Sequence, residues 1–270
     1  MNTIIMATAS VTILGLLCSV MLSVAAKVMS VKTDERVALI REILPGANCG
    51  ACGCSGCDGY AEGLVNEGLK TNLCIPGGDA VSKGISAILD VGFEDVVEQI
   101  AVVHCRGDGN SRQQKMEYVG IMTCAAAKQL YGGQNACVFG CLGYGDCARA
   151  CPSGAVCIEN GLARIDTRKC TGCGLCAKSC PNGIIYTEDD TITTVVLCKN
   201  TEKGAVTRNK CSFGCIACMR CARECPAGAI VVEDNLARIE YSKCVSCGKC
   251  AEVCVTKCIQ QANFSGIFRG

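Results

Sequence analysis

The spacing of the cysteines constrains this chain more than any other feature. Of the 270 residues 28 are cysteine, and many of these lie in C-x2-C groups. Cysteines so close in sequence suit metal ligation better than disulfide bonds to one another. Disulfides also need an oxidising compartment, and nothing in the sequence indicates secretion. We therefore expect a chain that folds around several metal centres, with folding coupled to metal binding.

Charge and composition exclude several classes of function. The 26 Lys and Arg residues nearly balance 25 Asp and Glu residues, whereas a nucleic-acid partner would require a basic excess. His104 is the only histidine, so two-histidine zinc sites, histidine-based triads and histidine-ligated haem lack the residues they need. Neither GxGxxG after a strand nor GxxxxGK[ST] occurs, so no nucleotide site is predicted. We assign no catalytic residue.

The N-terminal segment is predicted to be a transmembrane anchor over residues 1–27. Residues 2–26 carry no charged side chain, and a helix of that length is about 37 Å long, enough to cross a bilayer core. The alternative is a cleaved signal peptide ending in the small residues 24–26. A signal peptide begins with a basic region, and residues 1–5 contain no basic side chain.

Basic residues after this segment predict its orientation. Lys27, Lys32, Arg36 and Arg41 all follow the span, and the positive-inside rule places such flanks in the cytoplasm. We therefore expect a single-pass protein of the cell membrane, with the rest of the chain on the cytoplasmic side. Cysteines there stay reduced and free to bind metal.

A first cysteine module is expected within residues 28–104. Apolar spacing predicts a helix from Asp34 to Leu44, and a second helical run is predicted from Asp79 to Val103. Glycine-rich loops between cysteines leave backbone amides free to face a [4Fe–4S] cluster, although a four-cysteine zinc site is the alternative. Cys54 is interpreted as a loop side chain and His104 as a structural residue. The predicted ligands of this module are Cys49, Cys52, Cys57 and Cys74.

The rest of the chain contains an internal repeat with an offset of 74 residues, which predicts two tandem modules over residues 105–190 and 191–270. Non-cysteine residues follow the same offset, including Pro152 with Pro226 and Gly154 with Gly228. Short β-prone runs at 229–233 and 236–239 predict a hairpin. The repeated cysteines are Cys124, Cys137, Cys141, Cys147, Cys151, Cys170, Cys173, Cys176 and Cys180, with Cys198, Cys211, Cys215, Cys221, Cys225, Cys244, Cys247, Cys250 and Cys254.

The second copy contains C-x2-C-x2-C-x3-C-P followed by the same cysteine spacing, and it resembles the two-cluster bacterial ferredoxin. In that family the fourth cysteine of each run binds the cluster of the other run. The resemblance therefore implies two [4Fe–4S] sites with exchanged ligands. One site would use Cys215, Cys218, Cys221 and Cys254; the other would use Cys225, Cys244, Cys247 and Cys250.

The first copy departs from this pattern at one site. Its set of Cys151, Cys170, Cys173 and Cys176 is intact, but Tyr144 occupies the place of Cys218. We predict that Cys137 supplies the missing thiolate. A three-iron cluster, or none, is the alternative at this site. The predicted ligands are Cys137, Cys141, Cys147 and Cys180.

These assignments give five clusters from 20 cysteines and predict an α+β fold: one transmembrane helix, a small four-cysteine module and two ferredoxin modules. Cys157 and Cys258 correspond to Val231 and Ile184 in the repeat, which indicates core positions. Plain buried thiols are the default for the remaining cysteines, and a sixth cluster is the alternative. The unassigned cysteines are Cys18, Cys54, Cys105, Cys124, Cys157, Cys198, Cys211 and Cys258.

Taken together, the modules resemble the iron–sulfur B component of the Rnf complex, a membrane-bound ferredoxin:NAD oxidoreductase. The segments 44–52 and 140–147, together with Cys57, carry the resemblance, which extends over nearly the whole chain. It implies an electron carrier that accepts electrons from soluble reduced ferredoxin. Its partners would be flavin subunits that reduce NAD and membrane subunits that move Na+ or H+. The alternatives are a polyferredoxin subunit of another membrane oxidoreductase, such as a hydrogenase-linked complex, and a structural zinc or interaction protein.

Overall fold

A computed structural model describes residues 2–28 and 34–261 of the protein. Met1, residues 29–33 with the flanking Lys32, and residues 262–270 lie outside the described residues. The described part is a mixed fold of helices and antiparallel strands, as predicted. Its strands form four two-stranded sheets. The helices are α1 (Asn2–Val28), α2 (Glu35–Ile43), α3 (Cys57–Asn66), α4 (Gly78–Leu89), α5 (Cys124–Gln129), α6 (Asp146–Arg149), α7 (Leu175–Ser179), α8 (Gly204–Lys210), α9 (Arg220–Arg223) and α10 (Lys249–Glu252).

The helix α1 carries exposed apolar side chains along its length, among them Met6, Leu14 and Met21. Across residues 2–28 and 34–261, no helix combines the length and apolar character needed to cross a membrane. The transmembrane anchor over residues 1–27 is therefore not confirmed by the structure and stays a prediction.

The first cysteine module is a small helical unit formed by α2, α3 and α4. Asp34 caps α2 by accepting a hydrogen bond from the Arg36 amide at 2.9 Å, as a carboxylate at a helix N-terminus should. The core of this unit is built from the fully buried side chains of Ile40, Tyr60 and Ile85. The predicted helix at 34–44 is confirmed.

The helix predicted from Asp79 to Val103 is wrong in its second half. The helix α4 ends at Leu89, where Asp90 takes a left-handed conformation with φ of 55°. After a loop the chain forms β1 (Gln99–Val103). β-branched side chains favour a strand there, because they lose rotamer freedom in a helix and pack well on a pleated surface.

Each ferredoxin module contains two antiparallel pairs of strands. The pair β2 (Val156–Glu159) and β3 (Leu162–Ile165) has its counterpart in the later hairpin, which confirms the hairpin predicted at 229–239. The connecting residues have positive φ, as tight two-residue hairpin turns require. The other strands are β4 (Ile185–Asp189), β5 (Thr194–Val196), β6 (Ile230–Glu233), β7 (Leu236–Ile239) and β8 (Ile259–Gln261).

In each module, the second pair consists of the first and the last strand of that module. The strand β1 pairs with β4, and β5 pairs with β8. The strands of the first ferredoxin module therefore begin at Gln99, before the predicted start of this module at residue 105. Beyond the strands, the His104 amide donates to the Ile184 carbonyl and the Leu197 amide donates to the Cys258 carbonyl, both at 2.7 Å. Ile184 and Cys258 are repeat counterparts, so His104 and Leu197 hold equivalent places although no 74-residue offset relates them.

Candidate metal centres

The first module brings its four predicted cysteines together around a glycine-rich loop. Asn48 orders this loop by accepting a hydrogen bond from the Cys57 amide at 2.9 Å. Cys57 and Cys74 are buried, and Cys52 packs against the same core. Burial, followed by the charges of neighbouring thiolates including Cys49, raises the pKa of Cys74 to about 11. The four thiols therefore share one low-dielectric site.

Two further contacts describe the surroundings of this site. Cys54 lies beside Cys52, and its pKa is raised by burial and then by the charge of that neighbour. Lys178 of the first ferredoxin module donates from Nζ to the Cys49 carbonyl at 2.5 Å. This hydrogen bond holds the first cysteine loop against the next module.

In the second ferredoxin module, one predicted set of four cysteines lines a cavity. The cavity has a volume of about 20 Å3. Burial, then the charges of neighbouring thiolates, raises the pKa of Cys221 to about 11. Cys258 lies on the same wall, with its Sγ 3.6 Å from that of Cys254. The predicted cysteines on this wall are Cys215, Cys218, Cys221 and Cys254.

The other set of this module is formed by one loop and the cysteine that precedes β6. Burial, then the charges of Cys244 and Cys225, raises the pKa of Cys250. The Ala229 amide donates to the Cys225 Sγ at 3.3 Å. Cys247 lies in the same loop and is exposed.

The intact set of the first ferredoxin module is likewise brought together. Burial, followed by the charges of Cys170 and Cys173, raises the pKa of Cys176 to about 12, and Cys151 adds to this effect. The Ala155 amide donates to the Cys151 Sγ at 3.3 Å, in the same way as its repeat counterpart in the second module. Such N–H···S hydrogen bonds stabilise a thiolate and tune a bound cluster.

The structure does not place Cys137 at the Tyr144 site, in contrast to our prediction. The cavity there has a volume of about 20 Å3, the same as that of the matching cavity in the second module. Its fourth cysteine is Cys124, and Cys137 is not among its lining residues. The cysteines that line it are Cys124, Cys141, Cys147 and Cys180.

Local contacts explain why Cys124 reaches this cavity. It begins α5, and Thr123 caps this helix by accepting from the Ala126 amide. The Asp146 carboxylate accepts from the amides of Cys124 at 2.9 Å and Ala125 at 3.0 Å. The second module has Arg220 at the position of Asp146. Two departures from the repeat, at 144 and at 146, therefore accompany the recruitment of Cys124.

Cys137 instead lines a different cavity, together with three cysteines that sequence reasoning left unassigned. This cavity has a volume of about 20 Å3. The Asn200 side-chain amide lies 3.5 Å from the Cys137 Sγ. The repeated pair Cys137 and Cys211 was a sequence signal for this site. Their partners, Cys105 and Cys198, are not related to each other by the 74-residue offset, so the repeat alone did not indicate a set of four. The cysteines that line the cavity are Cys105, Cys137, Cys198 and Cys211.

The donor set fits [4Fe–4S] clusters. Sets of four thiols line apolar cavities, and backbone amides donate to cysteine sulfur at neighbouring sites. Within residues 2–28 and 34–261, no three His, Cys, Asp or Glu side chains are placed to hold one metal ion. A cubane needs no such convergence, because each of its four irons takes one thiolate.

Three protein-family models match segments of the chain that contain predicted cluster ligands. Residues 44–76 match the model described as "Putative Fe-S cluster". Residues 163–186 match a 4Fe-4S binding domain, and residues 214–258 match a 4Fe-4S dicluster domain. These matches support [4Fe–4S] clusters as the cofactors.

Curated relatives resemble the chain over nearly all of its length. It is 38% identical to the B component of the Na(+)-translocating ferredoxin:NAD(+) oxidoreductase complex of Acetobacterium woodii, over 96% of this chain and 78% of that protein. It is 42% identical to the B component of the proton-translocating ferredoxin:NAD(+) oxidoreductase complex of Clostridium ljungdahlii, over 96% and 91%. It is 36% identical to the B component of the ion-translocating oxidoreductase complex of Methanosarcina acetivorans, over 92% and 94%.

Proposed function

Because this chain belongs to the B-component family of ion-translocating ferredoxin:NAD oxidoreductases, we propose that it receives electrons from reduced ferredoxin and passes them to the other subunits of such a complex. The observation that carries the proposal is the series of four-thiol sites from the first module through both ferredoxin modules. When bound, [4Fe–4S] clusters accept and release single electrons. The hydrogenase-linked alternative is not favoured, since the relatives named above belong to ferredoxin:NAD or ion-translocating oxidoreductase complexes.

We assign five of the cluster sites as follows. Four keep the ligands predicted from the sequence, and the Tyr144 site takes Cys124 as its fourth ligand. The ligand sets are Cys49, Cys52, Cys57 and Cys74; Cys124, Cys141, Cys147 and Cys180; Cys151, Cys170, Cys173 and Cys176; Cys215, Cys218, Cys221 and Cys254; and Cys225, Cys244, Cys247 and Cys250.

The residues around these sites perform two tasks. They exclude water, because aliphatic side chains such as Leu162, Ile184 and Ile230 pack with the cysteines in the cores of the two ferredoxin modules. They also direct backbone N–H groups at sulfur, as at Cys151 and Cys225. Burial and such hydrogen bonds are the means by which a protein sets cluster potentials.

Attachment to the membrane is a separate part of the proposal. The relatives' names place them in ion-translocating complexes, and α1 carries exposed apolar side chains. We propose that residues 1–27 anchor the chain with the remainder in the cytoplasm. Carbonate washing of membranes should leave the full chain bound and release a variant that begins at Lys27. Equal release of both proteins would contradict the anchor.

The electron-carrier function is tested on the full chain purified anaerobically. Reduced ferredoxin should bleach the iron–sulfur absorbance of the protein, whereas oxidised ferredoxin should not change it. Iron and acid-labile sulfide are expected in equal amounts. A colourless protein that contains zinc would contradict the proposal and support the structural alternative.

A further inference from the structure

The cavity of about 20 Å3 that Cys137 lines lies between the two ferredoxin modules. Its four cysteines belong to none of the five sets assigned above, and all four are half-buried. Its volume equals that of the cavity formed by the C-x2-C-x2-C motif of the second module, which is also about 20 Å3. A space of the same size with the same number of thiols therefore recurs where no ferredoxin motif predicts it.

The four cysteines form two pairs of equivalent residues. Cys137 and Cys211 are related by the 74-residue repeat, and each begins a Cys-x-Phe-Gly-Cys segment. Cys105 and Cys198 directly follow the two residues that cap β1 and β5 through equivalent 2.7 Å hydrogen bonds. Each module therefore contributes two thiols from matching places, and the cavity has approximate two-fold symmetry.

Backbone hydrogen bonds obey the same symmetry. The Cys141 amide donates to the Cys105 Sγ at 3.4 Å, and the Cys215 amide donates to the Cys198 Sγ at 3.3 Å. Cys141 lines the Tyr144 cavity and Cys215 lines the cavity of the second module. The central cavity is thus separated from each neighbouring site by one cysteine backbone.

The backbone approaches the thiols closely at two glycines. A Cβ on Gly107 would lie 3.0 Å from the Cys211 Sγ and 3.9 Å from the Cys105 Sγ. A Cβ on Gly140 would lie 3.4 Å and 3.7 Å from the Sγ atoms of Cys105 and Cys137. Glycine at such positions gives access to a bulky group.

The charges at this cavity suit an anionic occupant. Arg106 and Lys199 are among its lining residues, and the Arg106 guanidinium stacks at 4.2 Å on the ring of Phe213. A [4Fe–4S] cluster with four cysteine ligands would carry a net negative charge, which these basic side chains would offset.

We propose that these four cysteines bind a sixth [4Fe–4S] cluster, which connects the two ferredoxin modules. The inference rests on the proposed function and extends it, because the bridging position provides a step between the Tyr144 site and the second module. One electron enters the bridging site as one leaves, and no bond is formed or broken. The ligands are Cys105, Cys137, Cys198 and Cys211.

The first test is the iron content of the unmodified full chain. Six cubanes correspond to about 24 irons and sulfides per chain, and five correspond to about 20. Mössbauer spectroscopy on 57Fe-enriched protein gives the number and type of clusters independently. About 24 irons in cubane form is expected. About 20 irons would overturn the sixth cluster and leave the proposed function intact, whereas absence of iron would overturn both.

The second test uses paired variants. Cys105→Ala/Cys198→Ala and Cys137→Ala/Cys211→Ala should each lose about four irons, and the fourfold variant should also lose only about four. A loss of about eight in the fourfold variant would mean that the pairs serve different clusters. Unchanged iron in either pair would mean that its thiols are not ligands.

The control is Cys157→Val, which introduces the residue of the second module. The repeat indicated a core position for Cys157, but that interpretation is wrong, because the structure leaves this cysteine exposed. The variant should keep all of its iron. If a paired variant does not accumulate, Gly107→Ala disturbs the same cavity while retaining every thiol. Its paramagnetic resonance spectrum should change in one cluster signal only, and an unchanged spectrum would count against the proposal.

Discussion

Replacing Cys124 by alanine gives the sharpest test of the reassigned Tyr144 site. The Cys124 thiol lines this cavity together with Cys141, Cys147 and Cys180, so Cys124→Ala removes one of four ligands. We expect either the loss of about four irons or a three-iron cluster in their place. The other sites should remain intact, because Cys124 lines no other cavity described above.

The repeat itself supplies a rescue. The second module has Cys218 where the first has Tyr144, and Cys218 lines the matching cavity. Tyr144→Cys should therefore restore the cluster in the Cys124→Ala background. It should not restore iron to a Cys137→Ala variant, because Cys137 lines the central cavity.

The free energy with which Asp146 holds Cys124 at this site follows from the hydrogen bonds that Asp146 accepts. The Asp146 carboxylate accepts two backbone hydrogen bonds at 2.9 and 3.0 Å, and hydrogen bonds to a charged group contribute about 1.5–3 kcal/mol each. The helix α5 has six residues and is too short to be stable alone. Asp146→Ala should therefore weaken cluster retention at this site by about 3 kcal/mol or more.

The assay is iron content with electron paramagnetic resonance of the dithionite-reduced full chain. A matched control is Arg220→Ala, which truncates the repeat counterpart of Asp146 in the second module and should leave the Tyr144-site signal unchanged. Full iron content in Cys124→Ala would refute the reassignment. If Tyr144→Cys restored the iron lost from a Cys137→Ala variant, the ligand set predicted from the sequence, with Cys137 at the Tyr144 site, would be correct.

Three further outcomes are expected. Gly172→Ala should lower the free energy of unfolding by roughly 2–4 kcal/mol, because its Cβ would lie 2.5 Å from the Gln99 carbonyl oxygen in a left-handed backbone conformation. The control Gly154→Ala, which has open space around it, should lower it by about 1 kcal/mol. Equal urea midpoints for the two variants would contradict this prediction. Cys258→Ile should retain all iron because Ile184 fills the equivalent place, so iron loss would make Cys258 a ligand. Anaerobic chelation of iron should abolish the circular dichroism of the strands, because the cores of both ferredoxin modules contain the cysteines, and a native spectrum of the iron-free chain would exclude this coupling.

The sequence predicted those features that depend on local spacing. The hairpin at 229–239 was found because β-branched residues flank a turn-forming pair, and the structure has β6 and β7 there. The helix α2 followed from the apolar spacing between Asp34 and Leu44. The grouping of Cys215, Cys218 and Cys221 in one cavity followed from the ferredoxin motif. In each case a few neighbouring residues suffice.

The missed features depend on contacts between distant segments. Cys137 was chosen for the Tyr144 site because it is the nearest cysteine upstream of Cys141, but the Asp146 carboxylate holds the Cys124 backbone at that site. The strand β1 was taken for the end of a helix because its pairing partner, β4, lies far along the chain. The equivalence of Cys105 and Cys198 is visible only through the strands that precede them. None of these contacts leaves a periodic signal in the sequence.

The separation of cysteines that share a cavity sets an order of events during synthesis on the ribosome. The thiols of the first module are complete once Cys74 has emerged, but Cys124 has to wait for Cys180. Cys105 waits longer still, until Cys211 has been made. Closing such long loops before the metal arrives costs conformational entropy that grows with loop length. Nascent chains therefore carry incomplete ligand sets for much of their elongation, and the sites with distant ligands can be filled only after the downstream cysteines have been made.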